Sequence, residues 1–184
     1  VQPAGLPDSL DLYNLIIRGN IEANASPTGI RSIGRANVVI RNALIADNQS
    51  PAFVGISAQS NGGGSFYAHH VTVANNVSTG NAYAGIQATG DVLLTLENSI
   101  VWGNSSANPQ GNCPLEVTNA DRLRFVIASS ICGQQSGSNI GVNSFNPLFR
   151  DADFRIGANS PAYNVALNPP NQPIDDLTPA RGGD

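Results

Sequence analysis

The chain contains no lysine and no methionine, and charged side chains make up only 12% of its 184 residues. All nine basic residues are arginine, and they do not form clusters. With a formal net charge of −4, neither nucleic acid nor an anionic membrane is an expected partner. No apolar run approaches the roughly 18 residues of a membrane-spanning helix. The polar surface must therefore come from uncharged side chains, chiefly those of Asn, Ser, Thr and Gln.

Cysteine is almost as scarce, because Cys113 and Cys132 are the whole complement. Two cysteines in a lysine-free chain rich in Asn and Ser indicate an oxidising compartment, and we expect a disulfide between them. Two buried free thiols are the alternative. The sequence opens on Val1 and carries no secretory signal pattern, so we expect a processed product or a fragment.

A repeat of about 28 residues, a length typical of solenoid coils, runs through most of the chain. The blocks LDLYNLIIRGN, VVIRNALIADN, FYAHHVTVANN and LTLENSIVWGN begin at Leu10, Val38, Phe66 and Leu94. Apolar residues alternate with period two inside each block, which is typical of a strand. A fifth block, FVIASSICGQQ, is expected to align Phe125 with Leu94 after a longer step, because NSSANPQGNCP lengthens the fourth coil.

Two polar columns keep the same spacing. The first ladder consists of Asn14, Asn42, His70 and Asn98, and the second ladder of Asn20, Asn48, Asn76 and Asn104. Asparagine tolerates the left-handed backbone that a corner often needs. Stacked about 4.8 Å apart, the side-chain amides can also hydrogen-bond to one another.

These features predict an all-β fold, a right-handed parallel β-helix of about five to six coils with three short strands in each turn. We expect residues 1–9 to be an amino-terminal lead-in, 10–145 to form the coils, and 146–184 to be a carboxyl-terminal cap or tail. The first coil has little to cover Leu12, Leu15 and Ile17, so the amino end should need a partner. That partner could be coils of a longer precursor, a second copy or another protein.

Two segments resemble a known family. Residues 94–104, LTLENSIVWGN, resemble a coil of bacterial right-handed β-helix repeat proteins of the pectate-lyase-like superfamily. Residues 145–165, FNPLFRDADFRIGANSPAYNV, resemble their terminal motif, although Tyr163-Asn164 replaces the usual Ile-Asp. The resemblance implies a surface protein of the choice-of-anchor type, located outside the cell, on its surface or in the periplasm. It implies an architecture rather than an activity.

Outward-facing columns of the first strand are the expected site of function. The predicted ligand-binding face consists of Tyr13, Arg41, Tyr67, His69, Glu97 and Trp102. Arginine suits carboxylates and tyrosine suits the faces of sugar rings, so the mixture favours an acidic polysaccharide. Trp102 shares its column with Arg18, Ala46 and Ala74, which we also expect to point outward.

A catalytic interpretation of this face would depend on Arg41, His69 and Glu97, with His69 or Glu97 as general acid or base. An ordinary solvated face of a β-helix is the alternative, so no catalytic residue is assigned. Polysaccharide lyases of this fold commonly bind calcium, but the repeat columns contain no cluster of acidic residues to do so. His69 and His70 are adjacent, and consecutive strand residues point to opposite faces, so we predict no metal site and no cofactor.

Three functions remain open on the sequence alone. The favoured one is a non-enzymatic extracellular or cell-surface scaffold or adhesion module that presents its stacked face to a glycan or protein partner. The second is a polysaccharide lyase or glycoside hydrolase acting on acidic polysaccharide. The third is a subunit of an extracellular assembly or filament.

Overall fold

A computed structural model describes residues 9–24, 26–107, 117–118, 122–128, 131–132, 142 and 144–160. These residues form an all-β solenoid, which confirms the predicted parallel β-helix. The described part makes about four turns, fewer than the five to six coils expected, although two of its sheets contain a fifth strand. Neighbouring strands in all three sheets run parallel. Within this part of the chain there is no helix of the length and apolarity needed to cross a membrane.

Each turn passes through three sheets in succession. The first sheet contains β1 (Ser9–Arg18), β3 (Asn37–Ala46), β6 (Ser65–Ala74), β9 (Leu93–Trp102) and β12 (Arg122–Ala128). The second sheet contains the two-residue strands β4 (Gln49–Ser50), β7 (Val77–Ser78) and β10 (Ser105–Ser106). The third sheet contains β2 (Thr28–Ile33), β5 (Val54–Ser60), β8 (Ile86–Gly90), β11 (Val117–Thr118) and β13 (Ile131–Cys132).

The predicted apolar columns form the core. In the first sheet, residues separated by one repeat lie opposite each other from β1 to β9, so like side chains stack. The inward side chains of the middle coils are at most 3% exposed: Val38, Ile40, Ala43, Ile45, Phe66, Ala68, Val71, Val73, Leu94, Leu96 and Val101. Ile56, Ala58, Ile86 and Ala88 of the third sheet close the core from the other side.

Glycine allows the third-sheet strands to begin close together. Gly29 lies opposite Gly55, and both have positive φ angles, of 111° and 84°. A Cβ atom at Gly29 would lie 2.2 Å from the carbonyl oxygen of Gly55, well inside van der Waals contact. These glycines, each followed by an isoleucine in the sequence, therefore mark the points where successive coils approach through their backbones.

The fifth coil departs from the predicted alignment. Leu123 lies opposite Leu96 and Ala128 opposite Val101, a shorter step than expected, so the predicted alignment of Phe125 with Leu94 was wrong. The predicted and observed steps differ by an even number, and the period-two alternation of a strand cannot distinguish them. As a result Ala128 follows Val101 in the inward column, and Cys132 lies in the third sheet opposite Thr118.

The expected disulfide stays a prediction. Cys113 lies outside the described residues, and for Cys132 the description covers the backbone but not the side chain.

The carboxyl-terminal segment 144–160 packs against the side of the solenoid. Phe149 and Phe154 meet edge to face with ring centres 5.1 Å apart, and they lie against Ala46 and Ala74. Both alanines are fully buried beneath them, so at these two positions the column faces the tail and not solvent. Alanine has no side chain beyond Cβ, which leaves room for the aromatic rings.

Arg18 ties the same segment to the first coil. Its guanidinium donates hydrogen bonds to Asp153 Oδ1 at 3.0 Å and to the carbonyl oxygen of Ala152 at 2.7 Å. It also forms a salt bridge to Asp47 in the next coil and lies 5.6 Å from the ring centre of Phe154. The described part of the tail thus contacts the first three coils. The predicted role of residues 146–184 as a carboxyl-terminal cap stays a prediction.

The first coil is less covered than those that follow. Leu12, Leu15 and Ile17 are only partly buried, whereas their counterparts in the next coil are fully buried. Leu10 is 49% exposed and Ile16 is 64% exposed. The requirement for a partner at this end stays a prediction, because residues 1–8 lie outside the described part of the chain.

Candidate binding face

Five side chains line up across the outer surface of the first sheet, and we call this line the outward stripe. Its members hold the same register position in successive strands: Tyr13, Arg41, His69, Glu97 and Arg124. Tyr67 lies beside the stripe, two residues before His69. The structure therefore brings together all the predicted face residues except Trp102. It also adds Arg124, which the incorrect alignment of the fifth coil had hidden.

Arg41 and Tyr13 form one end of the stripe. Arg41 Nη1 donates a hydrogen bond to Tyr13 Oη at 3.2 Å, and the guanidinium lies 5.5 Å from the centre of the tyrosine ring. A cation over an aromatic face is attracted by the ring quadrupole, so the ring orients Arg41 and leaves its positive charge uncompensated by any carboxylate among the described contacts.

Glu97 is held from both sides at the other end. Tyr67 Oη donates to its Oε2 at 2.5 Å, and Arg124 Nη1 donates to its Oε1 at 3.1 Å. Burial raises the pKa of Tyr67, and the hydrogen bond to Glu97 raises it further. The tyrosine therefore stays protonated and acts as a donor. Both carboxylate oxygens of Glu97 have partners inside the protein.

His69 lies between these two ends and is only 5% exposed. Its ring stacks on Tyr67, with centres 6.1 Å apart and planes 14° from parallel. Burial lowers the pKa of His69, and the charges of His70 and Arg41 act in the same direction against that of Glu97. The ring therefore favours its neutral form.

His70 points to the same side as His69, so the prediction that the two side chains face opposite ways was wrong. The two rings lie with centres 4.0 Å apart. His70 has a φ angle of 54°, and the first-ladder asparagines share this left-handed conformation with φ between 47° and 57°. One left-handed residue interrupts the alternation of a strand and turns adjacent side chains together. The asparagine column was a signal for this conformation that the sequence analysis did not apply to His70.

Both ladders are confirmed. In the first, Asn42 Nδ2 donates to Asn14 Oδ1 at 2.7 Å. In the second, each side-chain amide donates to the Oδ1 of the next coil at 2.8 to 2.9 Å, from Asn20 to Asn48, Asn76 and Asn104 in turn.

Trp102 lies apart from the outward stripe. It is half-buried at the end of β9, opposite Ala74, in the column whose earlier alanines the tail covers. Trp102 is therefore better placed to contact the flank of the solenoid than a ligand on the stripe.

The arrangement suits recognition of an extended anionic ligand. It offers two arginines, Arg41 and Arg124, with the rings of His69 and Tyr67 and the carboxylate of Glu97 between them. Across the described residues no three His, Cys, Asp or Glu side chains come together as a metal-binding group.

Comparison of the chain with family models, curated proteins and solved structures finds no match in any of the three. The fold rests on the strand pairing itself, and the likeness to pectate-lyase-like surface proteins stays a resemblance.

Proposed function

We propose that this protein is a non-enzymatic extracellular or cell-surface scaffold module whose outward stripe binds an acidic polysaccharide. The observation that supports the proposal best is the alignment of Tyr13, Arg41, His69, Glu97 and Arg124 at one register position of five parallel strands. A straight row with strand spacing complements a linear polymer better than a compact small molecule.

Charge supports an acidic rather than a neutral ligand. Arg41 and Arg124 lie three strands apart, about 14 Å at the usual strand spacing. Guanidinium groups bind carboxylates with paired hydrogen bonds, so Arg41 would engage a uronate unit directly. Arg124, which is bonded to Glu97 through Nη1, would engage a second unit with its remaining N–H groups. Tyr13 and Tyr67 supply ring surfaces of the kind that sugar rings pack against.

Several contacts favour binding over catalysis. A general acid or base must reach the proton that it transfers. Glu97 has both oxygens engaged by Tyr67 and Arg124. His69 is nearly buried, and its Nε2 lies 3.1 Å from the side-chain amide of Asn98. Glu97 and His69 are therefore held by contacts within the protein, which suits side chains that shape a binding surface better than side chains that transfer protons.

Titration calorimetry with polygalacturonate, and with dextran as a neutral polymer, tests the proposal. We expect polygalacturonate to bind, with an affinity that falls as salt rises, and dextran not to bind. Arg41→Gln should weaken binding about tenfold, equivalent to about 1.4 kcal/mol. Arg31→Gln is the matched control, because Arg31 lies in the third sheet, away from the stripe.

Equal weakening by the two variants, or equal binding of both polymers, would contradict the proposal. The same mixtures, with and without calcium, should show neither unsaturated products nor new reducing ends. Their appearance would favour the alternative function, a lyase or hydrolase.

A further inference from the structure

His69 and His70 aim their ring nitrogens at one point. Asn98 Nδ2 lies 3.1 Å from His69 Nε2 and 3.3 Å from His70 Nε2. An amide nitrogen is a donor, so each ring nitrogen accepts and directs its lone pair to the same place. Adjacent residues of a regular strand cannot do this, and the left-handed φ of His70 makes it possible here.

From this convergence we propose that His69 and His70 form a binding site for a divalent transition-metal ion such as zinc or copper. Imidazole nitrogen is a preferred ligand of both ions. Zinc binds imidazole nitrogen at about 2.0–2.1 Å. For an ion at the present position of Asn98 Nδ2, each ring nitrogen would therefore have to move about 1 Å closer. The Asn98 side chain would withdraw from that position, and its amide, turned by half a rotation, would direct Oδ1 towards the ion as a third ligand.

The surroundings of the pair are consistent with a bound cation. Glu97, the residue before Asn98, carries a negative charge next to His69 in the outward stripe. His69 is already held by its stacking on Tyr67, so little side-chain freedom remains to be lost on binding. Arg41 and Arg124 oppose a second positive charge, so the site should favour ions that bond strongly to nitrogen over ions held by charge alone.

The alternative to this proposal is that His70 serves only as a member of the first ladder and binds no metal. The other three members of that ladder are asparagines, and Asn98 donates to His70 as Asn42 donates to Asn14. The substitution His70→Asn therefore preserves the ladder and its left-handed backbone, which asparagine tolerates, while it removes one of the two imidazoles. This variant separates the two roles without endangering the fold.

Zinc titration calorimetry on the full chain, with cobalt absorption as a second readout, tests the proposal. We expect one zinc ion per chain for the wild type and a cobalt spectrum typical of nitrogen ligands. Loss of an outer-shell partner lowers metal affinity about 10- to 100-fold, so loss of a direct ligand in His70→Asn or His69→Gln should lower it at least as much. Magnesium, which prefers oxygen ligands, should not compete.

Zinc affinity equal to that of the wild type in His70→Asn, with an unchanged thermal melt, would overturn the proposal. Binding that survives in the variant carrying both substitutions would do the same, because it would place the ion elsewhere. The inference does not depend on glycan binding. His70→Asn leaves Arg41 and Tyr13 intact, so polygalacturonate affinity should be unchanged in that variant.

Discussion

Both ladders run through the same four coils, the second with four asparagines and the first with three asparagines and a histidine, yet they hold the solenoid in different ways. In the second ladder, Asn48 and Asn76 are fully buried, and each bonds to backbone as well as to the next amide. Asn76 Nδ2, for example, donates both to Asn104 Oδ1 and to the carbonyl oxygen of Ile45 in the preceding coil. The first ladder is more exposed, and what its members share is a left-handed backbone.

This difference explains why one ladder tolerates a histidine. In the second ladder, the left-handed residue of each coil comes one position earlier, at Gly19, Asp47, Asn75 and Gly103, so the asparagine side chain itself holds adjacent coils together. A ring cannot reproduce its bonds to two backbone groups and two amides. In the first ladder the backbone conformation matters most, and a histidine that adopts it can replace asparagine. This tolerance of the first ladder allows His70 to lie beside His69.

The largest effect is expected from Asn76→Ala. The change leaves the carbonyl oxygen of Ile45 without its side-chain donor. It also removes the buried Oδ1 that accepts from both the backbone N–H and the side-chain amide of Asn48. We expect the free energy of unfolding to fall by about 1–3 kcal/mol, towards the upper limit. Chemical denaturation measures this fall in the free energy of unfolding. Asn76→Gly should be no milder than alanine, because glycine adds backbone entropy without a compensating positive φ.

Asn42→Ala should have a smaller effect, of about 1–2 kcal/mol, because alanine is strained at the φ angle of 57° and the hydrogen bond to Asn14 is lost. Here glycine should be milder than alanine, because it adopts this conformation freely. The order of the glycine and alanine variants, compared by denaturation at positions 42 and 76, is therefore expected to reverse. The same order at both positions would show that the two ladders stabilise the fold in the same way.

His70→Asn should change the free energy of unfolding by less than about 0.5 kcal/mol, because asparagine is the residue of the other three coils. Thermal melts in metal-free buffer give the value. A loss as large as that of Asn76→Ala would mean that the histidine ring is needed for packing at this position.

Arg41→Ala is expected to be the mildest change for stability, below about 0.5 kcal/mol, since its described contact is with Tyr13 on the outer surface. Its effect should instead appear in polygalacturonate affinity. Thermal melts that show equal losses of stability for Arg41→Ala and Asn76→Ala would contradict this assignment, which places Arg41 in the outward stripe and Asn76 in the buried second ladder.

Much of the candidate face could be predicted because it follows from spacing. The constant spacing of the first four blocks places Tyr13, Arg41 and His69 at one register position before any coordinate is known. Arg124 could not be found in the same way, because the step changes after the fourth coil and the alternation accepts either register. The position of Trp102 apart from the stripe could not be predicted either, because the earlier alanines of its column are covered by a segment distant in the chain.

The amino-acid sequence by itself determined the parallel solenoid, its inward columns and its two asparagine ladders. These depend on the period of side chains along the chain, and a regular period fixes which residues of successive coils meet. Only the tertiary structure decided the register of the fifth coil, the packing of Phe149 and Phe154 on Ala46 and Ala74, and the meeting of His69 with His70. The first two depend on contacts between segments far apart in the chain, and the third on one left-handed residue that reverses the direction of a side chain.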